Sequence, residues 1–497
     1  MNKILPHSRN RSYPYGTREC TRKMCTYLSL DELIRPLKEK GTDIYPIFEM
    51  LIAFRMDKNN KDFSIRQFLE WAEKPEILEY YHLEKSIVDR TVYRAVGIFG
   101  ENLTLILQEI LRRIMPHLPS VKTIYMDWTT VVLWGFKSPL GEYGYSRDKR
   151  GDKKQITVGA AITSMPYCIP IGMTVEPGNT CDTVHFPLTF DQISNELEKG
   201  TLIAFDKGPA SKENKKMLEE RGFYYLTSLK FNASIDEQIK TFCKSENNCL
   251  NPDAEKNKRI YYLKTSYENH MNFLYFSEEK KIEEIESIRQ SVEKKYNEAI
   301  LMREKELKSE QRKREGKKGD SRGRKKKVDN DFVITKRTVQ APLIDDIPRE
   351  EAIAMGIQRK LTGREGFFVL STNKNMTPED ALRIYREKDA VEKLFYSLKN
   401  EIPFGPVRSW TENNVKGICL ITYLAHLFLA LTRLFIPELV HVSDKIILIS
   451  LKNLTETFVY KGKKMVKSII SNIDMISGKI VGLELPKNWA KGGEIIT

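Results

Sequence analysis

Cysteine is scarce in this chain, with seven scattered residues among 497. That excludes a disulfide framework. Neither Cys20 with Cys25 nor Cys243 with Cys249 has a second pair and matching histidines at zinc-site spacing. Reduced thiols in a cytoplasmic protein are therefore expected. Long apolar runs are missing too. Residues 417–432 (GICLITYLAHLFLALT) carry no formal charge, but they fall short of the roughly 20 residues a bilayer-spanning helix needs. With His426 in the middle, the run reads as a buried core helix, and no membrane partner is expected. The opening residues MNKILPHSRNRS lack an apolar core of signal-peptide length. Acidic residues are in deficit, with 67 Asp and Glu against 81 Lys and Arg, a net charge of +14. This favours a polyanionic partner, nucleic acid ahead of an anionic membrane surface. Purely structural binding of nucleic acid would satisfy the charge equally well.

The length implies two or three domains. Residues 1–120 read as helical. Within them, SIVDRTVYRAVGIFGENLTLILQEILRRI (86–114) offers Asp89 as a cap for a helix carrying Arg90 and Arg94. Short helices with basic exposed faces suit a helix-turn-helix-like DNA reader, and a small helical bundle fits as well. At 121 the pattern turns to alternating and β-branched residues. VKTIYMDWTTVVLWG, QITVGAAITS (155–164) and CIPIGMTVEPG (168–178) read as three strands of an antiparallel meander, with Asp127 on the first. A helix at 185–200, an apolar strand at 201–208 tipped by Asp206, a helix at 211–222 and a strand at 223–229 follow.

The order β-β-β-α-β-α-β is that of a ribonuclease-H-like core in an α/β protein with a mixed sheet. There the first and fourth strands lie side by side, which would bring Asp127 next to Asp206. The expected organisation is a helical DNA-end-binding domain (1–120), the first part of the core (121–230), an insertion (231–365), the second part of the core (366–440) and a C-terminal region (441–497) available for oligomerisation. Within the insertion, 258–276 reads as one or two strands and 278–306 as a charged helix with a narrow apolar seam. Residues 301–327 hold thirteen Lys or Arg against five Asp or Glu, and the stretch EGKKGDSRGRKKK is too polar to fold alone. The sheet pattern resumes at GFFVLSTN (366–373).

Residues 377–400 (TPEDALRIYREKDAVEKLFYSLKN) then read as one helix, with Thr377 as its cap and Pro378, Glu379 and Asp380 in the first turn. At 100° per residue, Tyr385, Lys388, Glu392 and Lys399 share an arc of roughly 60°. On its own, that face reads most simply as a solvated stripe in which Glu392 pairs with Lys388, worth a few tenths of a kcal/mol. Combined with Asp127 and Asp206, Glu392 becomes the third member of an oxygen-ligand set. Three carboxylates without a His or Cys set suit Mg²⁺, with Mn²⁺ as a substitute. Phosphodiester chemistry uses two such ions about 3.5–4 Å apart. Lys388 and Lys399 would then meet phosphates, and the Tyr385 hydroxyl could bond one.

YMDWTT around Asp127, GYSRDKRGDKKQ in the first hairpin, PGNTCD, AFDKG, FFVLSTN and YREKDAVEKLFYSLKNEI together resemble a DDE transposase of prokaryotic insertion sequences. The group is the one marked by Tyr-x2-Arg-x3-Glu-x6-Lys, and the similarity covers about 60–230 and 360–435. The resemblance implies that Asp127, Asp206 and Glu392 are the catalytic, metal-binding triad. It implies DNA-phosphate roles for Tyr385, Lys388, Lys399, Arg147 and Lys207, with Gln155, Asn179 and Asp182 around the site. Lys388 departs from the motif's arginine, keeping the charge and losing the bidentate fork. The implied activity is excision at terminal inverted repeats of double-stranded DNA, then attack of the freed 3′-hydroxyl on target DNA. A homodimer on DNA, in a prokaryotic cytoplasm at the nucleoid, goes with it. Two alternatives stand beside this one: an inactive sequence-specific DNA-binding derivative, and a phosphatase using Asp127 as nucleophile. The second usually wants an acid two residues on, where Thr129 stands.

Overall fold

A computed structural model describes residues 11–57, 64–83, 86–135, 137–267, 270–314, 347–400, 402, 407–461, 464–482 and 495–496. The basic stretch 315–327 lies outside the described residues. The fold is mixed α/β with a large mixed sheet, and the chain divides into two compact units. The first comprises Met1–Thr227, Thr372–Lys374 and Ala381–Thr497, and the second Ser228–Ser371 and Asn375–Asp380.

Five strands form the centre of the first unit: β1 (Thr123–Val132), β2 (Gln155–Thr163), β3 (Pro170–Pro177), β4 (Leu202–Phe205) and β5 (Tyr224–Ser228). Their spatial order is β3-β2-β1-β4-β5. The first three pair antiparallel, while β4 runs parallel to both β1 and β5. Helix α1 (Asp182–Ile193) connects β3 to β4, and α2 (Lys212–Glu220) connects β4 to β5. The order read from the sequence, with the first and fourth strands adjacent, is thus present. All nine residues of β2 and all four of β4 are buried, as expected for strands covered on both faces. Helix α1 begins three residues before the expected start, because Asp182 supplies an acidic first turn.

Alternation along β1 assigns its two faces. Trp128, 1% exposed, points toward α1, where its ring lies 5.7 Å from Phe186. Its neighbour across the ladder is Gly159. A Cβ on Gly159 would come within 2.5 Å of Thr189 Oγ1 and 2.6 Å of Trp128 Nε1, so only glycine leaves room for the indole here. Tyr125, Asp127 and Thr129 occupy the other face.

Behind that face lie α3 (Pro378–Glu387), α4 (Asp389–Asn400) and α5 (Glu412–Phe435). The single helix expected over 377–400 is two helices that meet at Lys388. There the ladder tightens: the Lys388 amide donates to the Tyr385 carbonyl, and the Val391 amide to the Lys388 carbonyl. Helix α5 contains the uncharged run, and its most apolar window is 83% buried, so it is a core helix. The helices Tyr45–Asp57 and Asp89–Glu101 pack against it. The second crosses closely enough that a Cβ on Gly417 would meet the Val96 carbonyl oxygen at 2.1 Å. Among the described residues up to 120 the regular elements are helices, apart from Arg11–Pro14, a strand that pairs with Thr455–Lys461 in a four-stranded antiparallel sheet. The N-terminal helices and the C-terminal residues therefore belong to the same unit as the sheet.

In the second unit, Ile260–Tyr267 and His270–Ser277 form an antiparallel hairpin, and Phe367–Thr372 lies beside the latter. The helix Glu278–Arg314 packs on Arg349–Lys360 through Val292, Tyr296, Ala299, Ala352 and Ile353; of the seam expected at Ile282, Ile285, Val292, Tyr296 and Ile300, Val292, Tyr296 and Ile300 lie in this contact and Ile282 is exposed.

Two stability predictions arise from the Trp128 side of the sheet. Gly159→Ala should destabilise the protein by roughly 1–3 kcal/mol through overpacking, read from the urea midpoint. His185, fully buried, keeps its Nε2 2.8 Å from Thr174 Oγ1. Burial first, and the Arg147 charge second, push its pKa from 6.5 down to about 3. The folded chain thus keeps the ring neutral, while the unfolded chain protonates it below pH 6.5. Stability is full above that value and is lost as pH falls toward 3. The loss attributable to this ring should be on the order of 2 kcal/mol at pH 5. His185→Gln, which cannot take the proton, should show a correspondingly flatter decline between pH 7 and pH 5 in urea titrations.

Candidate functional site

The β1–β4 register pairs Tyr125 with Ala204. Carried two residues further along both chains, it sets Asp127 opposite Asp206, the first residue beyond β4. The backbone of Asp206 is fixed from β5, where Thr227 Oγ1 donates to its carbonyl at 3.1 Å. Asp127 keeps 20% of its side chain exposed. Burial raises its pKa above the ordinary aspartate value, and the nearby Asp206 charge adds to the rise. Lys388 and Arg147 pull it down without cancelling the effect.

The helix pair is docked on the same face of β1. The Tyr125 hydroxyl donates to Glu387 Oε2 at 2.8 Å, and Arg383 holds the other oxygen of Glu387 at 2.9 Å. This clamp sits one residue before the junction. At the junction Lys388 Nζ lies 3.0 Å from Glu392 Oε1 and 3.9 Å from Asp127 Oδ2, with 8% of its side chain exposed. Burial alone would favour the neutral amine. The Asp127 and Glu392 carboxylates outweigh it, so the pKa is raised above the ordinary lysine value. The simple Lys388–Glu392 pair is therefore present, but the lysine is buried and shared with Asp127. Glu392 itself is 59% exposed.

Tyr385, expected at a phosphate, instead donates its hydroxyl to Asp206 Oδ1 at 2.9 Å. Lys399 pairs with Asp148 at 2.7 Å, and Arg147 with Asp182 at 2.8 Å. The Arg147 amide also donates to Thr130 Oγ1 at 3.1 Å, tying the β1–β2 connection to the strand that bears Asp127. Asp182 lies against the loop after Asp206, where a Cβ on Gly208 would meet its Oδ2 at 2.5 Å. Gln155 is a scaffold residue: buried, it donates to the carbonyls of Tyr145 and Gly178. Lys207 and Asn179 are exposed. The position two residues after Asp127 holds Thr129, which is buried and is not an acid.

Glu387, Asp148 and Tyr125 were not singled out from the sequence. The period-2 alternation of β1 would have given Tyr125, which shares a face with Asp127. Glu387 and Asp148 carry no such signal, because their partners lie 262 and 251 residues away.

Among the described residues, no three His, Cys, Asp or Glu side chains converge as a ready metal set. Two observations nonetheless fit a hard cation. The donors are all carboxylate oxygens, and the Lys388 ammonium stands between two of them as a cation. Asp127 and Asp206 would hold such an ion, and Glu392 would join once Lys388 withdrew.

No curated protein sequence matches the chain. Among solved structures it is similar to a piggyBac transposase synaptic complex with hairpin DNA, determined by cryo-EM. Identity is 9%, with 90% of this chain and 82% of that chain covered and a TM-score of 0.40. The family model described as the transposase DDE domain matches residues 122–428, more than half of the chain and a span that includes Asp127, Asp206 and Glu392. The chain belongs to the transposase DDE domain family.

Proposed function

We propose that this protein is a divalent-metal-dependent transposase of the prokaryotic insertion-sequence group that excises its element at terminal inverted repeats and joins it to target DNA. The observation that carries this reading is the constellation on β1: Asp127 opposite Asp206, with the Lys388 ammonium between Asp127 and Glu392. The strand order supports a ribonuclease-H-like core. In the first step water attacks phosphorus, the bond to the 3′-oxygen breaks, and that oxygen leaves with a proton as a 3′-hydroxyl. In the second, the same hydroxyl attacks a target phosphate and displaces another 3′-oxygen, so the number of phosphodiester bonds is conserved. When bound, Mg²⁺ ions would activate the attacking oxygen and stabilise the leaving one.

The chain's own residues have separable tasks. Asp127, Asp206 and Glu392 would serve as metal ligands. Tyr385 orients Asp206 by donating to one of its oxygens. Lys388 neutralises the acids in the absence of metal and DNA, and withdraws toward a phosphate when they arrive. Lys399 and Arg147, each on one carboxylate here, exchange it for phosphate oxygens, and exposed Lys207 reaches the backbone directly. End recognition falls to the N-terminal helices, with exposed Arg90, Tyr93 and Arg94 on the helix Asp89–Glu101. Residues 441–497 serve dimerisation on DNA, and the enzyme works in the cytoplasm at the nucleoid.

Asp127→Asn, Asp206→Asn and Glu392→Gln should each reduce Mg²⁺-dependent cleavage and strand transfer below detection, in an assay using DNA flanking the protein's own gene. End binding by gel shift should stay within a few-fold of wild type. Near-normal cleavage by any one of them removes that residue from the triad. Removing the competing ammonium should tighten Mn²⁺ binding to the DNA-free protein. In calorimetric titration Lys388→Met is expected to bind about tenfold tighter, roughly 1.4 kcal/mol, while Asp127→Asn binds weaker. An unchanged affinity in Lys388→Met would show that the ammonium does not compete for the site.

A further inference from the structure

We infer that the surface carrying Trp134, Tyr143, Tyr145 and Trp410 is a stacking platform for unpaired DNA bases at the far end of the strand that bears Asp127. This rests on the reading of the protein as one that acts on DNA, and it specifies which form of DNA the surface takes. Tyr145 is 85% exposed, Trp410 63%, Tyr143 58% and Trp134 44%. Scattered apolar residues on a surface need no explanation, but four large rings on two adjoining segments do. The segments adjoin through backbone. The Trp134 and Gly135 amides both donate to the Val407 carbonyl, at 2.8 and 3.2 Å, and a Cβ on Gly135 would meet the Ser409 oxygen at 2.0 Å. The backbone beneath Tyr145 is also held, because Gln155 Nε2 donates to its carbonyl at 2.9 Å. A Cβ on the preceding Gly144 would meet the Gly178 oxygen at 2.3 Å.

Charge identifies the partner. Lys137 Nζ stands 4.7 Å from the Trp410 ring centre, and Lys153 Nζ 5.2 Å from that of Trp134. Residues 134–155 contain Lys137, Arg147, Lys149, Arg150, Lys153 and Lys154 against Glu142, Asp148 and Asp152. Two of those acids are already engaged, Asp148 with Lys399 and Asp152 with Arg150. Aromatic rings interleaved with lysines suit a polyanion that also presents flat apolar faces. Inside a duplex those faces are hidden within the stack, so away from its ends the rings engage bases that have left it, while the lysines take the phosphates. The surface is tied to the strand that bears Asp127, since the Arg147 amide donates to Thr130 on β1.

The test compares a blunt duplex with the same duplex carrying a single-stranded tail of about six nucleotides. Binding to the full chain is followed by fluorescence anisotropy in EDTA, with 2-aminopurine in the tail reporting stacking. Wild type should prefer the tailed DNA and quench the 2-aminopurine. The double variant Trp134→Ala with Trp410→Ala should lose about tenfold in tailed affinity and the quenching, with blunt affinity within twofold of wild type. Phe at both positions should restore the preference. The inference is overturned by equal wild-type affinity for the two DNAs, or by an Ala variant that weakens both alike. In those outcomes salt-sensitive DNA binding would survive and the proposed function with it. Absence of binding to either DNA would remove both.

Discussion

Lys388 lies 3.0 Å from Glu392 and 3.9 Å from Asp127 with 8% of its side chain exposed, and an ammonium is kept that dry only where negative charge surrounds it. The converse holds as well. Asp127 is driven toward its protonated form by burial and by the neighbouring Asp206, and the lysine is the first counterweight. Two acids on adjacent parallel strands repel each other, and a fold that keeps them together needs a cation nearby. In this chain the cation is covalently attached and sits at the junction of two helices.

That junction explains the local architecture. A continuous helix over 377–400 would keep i−4 hydrogen bonds through Lys388, whereas the bonds there are made to the residue three positions away. The Tyr125–Glu387–Arg383 clamp fixes the end of α3 on β1. Helix α4 starts afresh with Asp389 and Glu392 in its first turn, where the helix dipole favours carboxylates. The break therefore lets one element dock on the sheet and the other carry Glu392, with Lys388 turned inward between them.

Much of this was legible beforehand, for identifiable reasons. Alternation and β-branching marked β1 to β3, and the apolar run ending at Asp206 marked β4. Once the strand order is written down, Asp127 and Asp206 must be neighbours. The interruption at Lys388 was not legible, because neither proline nor glycine marks it and the residues on both sides favour helix. What breaks the helix is tertiary: a tyrosine 262 residues earlier in sequence from Glu387, and a buried carboxylate on β1. Gln155 was expected at the site and is a buried clamp for two backbone carbonyls, a role that depends on where the β1–β2 connection folds. The residues expected at phosphates are also engaged: Lys399, Arg147 and Tyr385 each hold a carboxylate. A basic side chain next to acids on the same surface satisfies itself until a stronger anion displaces the partner, and the sequence lists only the possible partners.

The choice of lysine at position 388 bears on how the acids are bridged. A guanidinium binds two acceptors in a fixed planar fork, so a bridge between two carboxylates would be locked by geometry as well as by charge. An ammonium is a compact point charge on a flexible stem, and it holds Asp127 only at 3.9 Å while it holds Glu392 at 3.0 Å. The longer contact is to the drier carboxylate, and Glu392, 59% exposed, is the more easily hydrated partner. Asp127 sits on β1 and Asp206 directly beyond β4, so the sheet fixes the backbone of both.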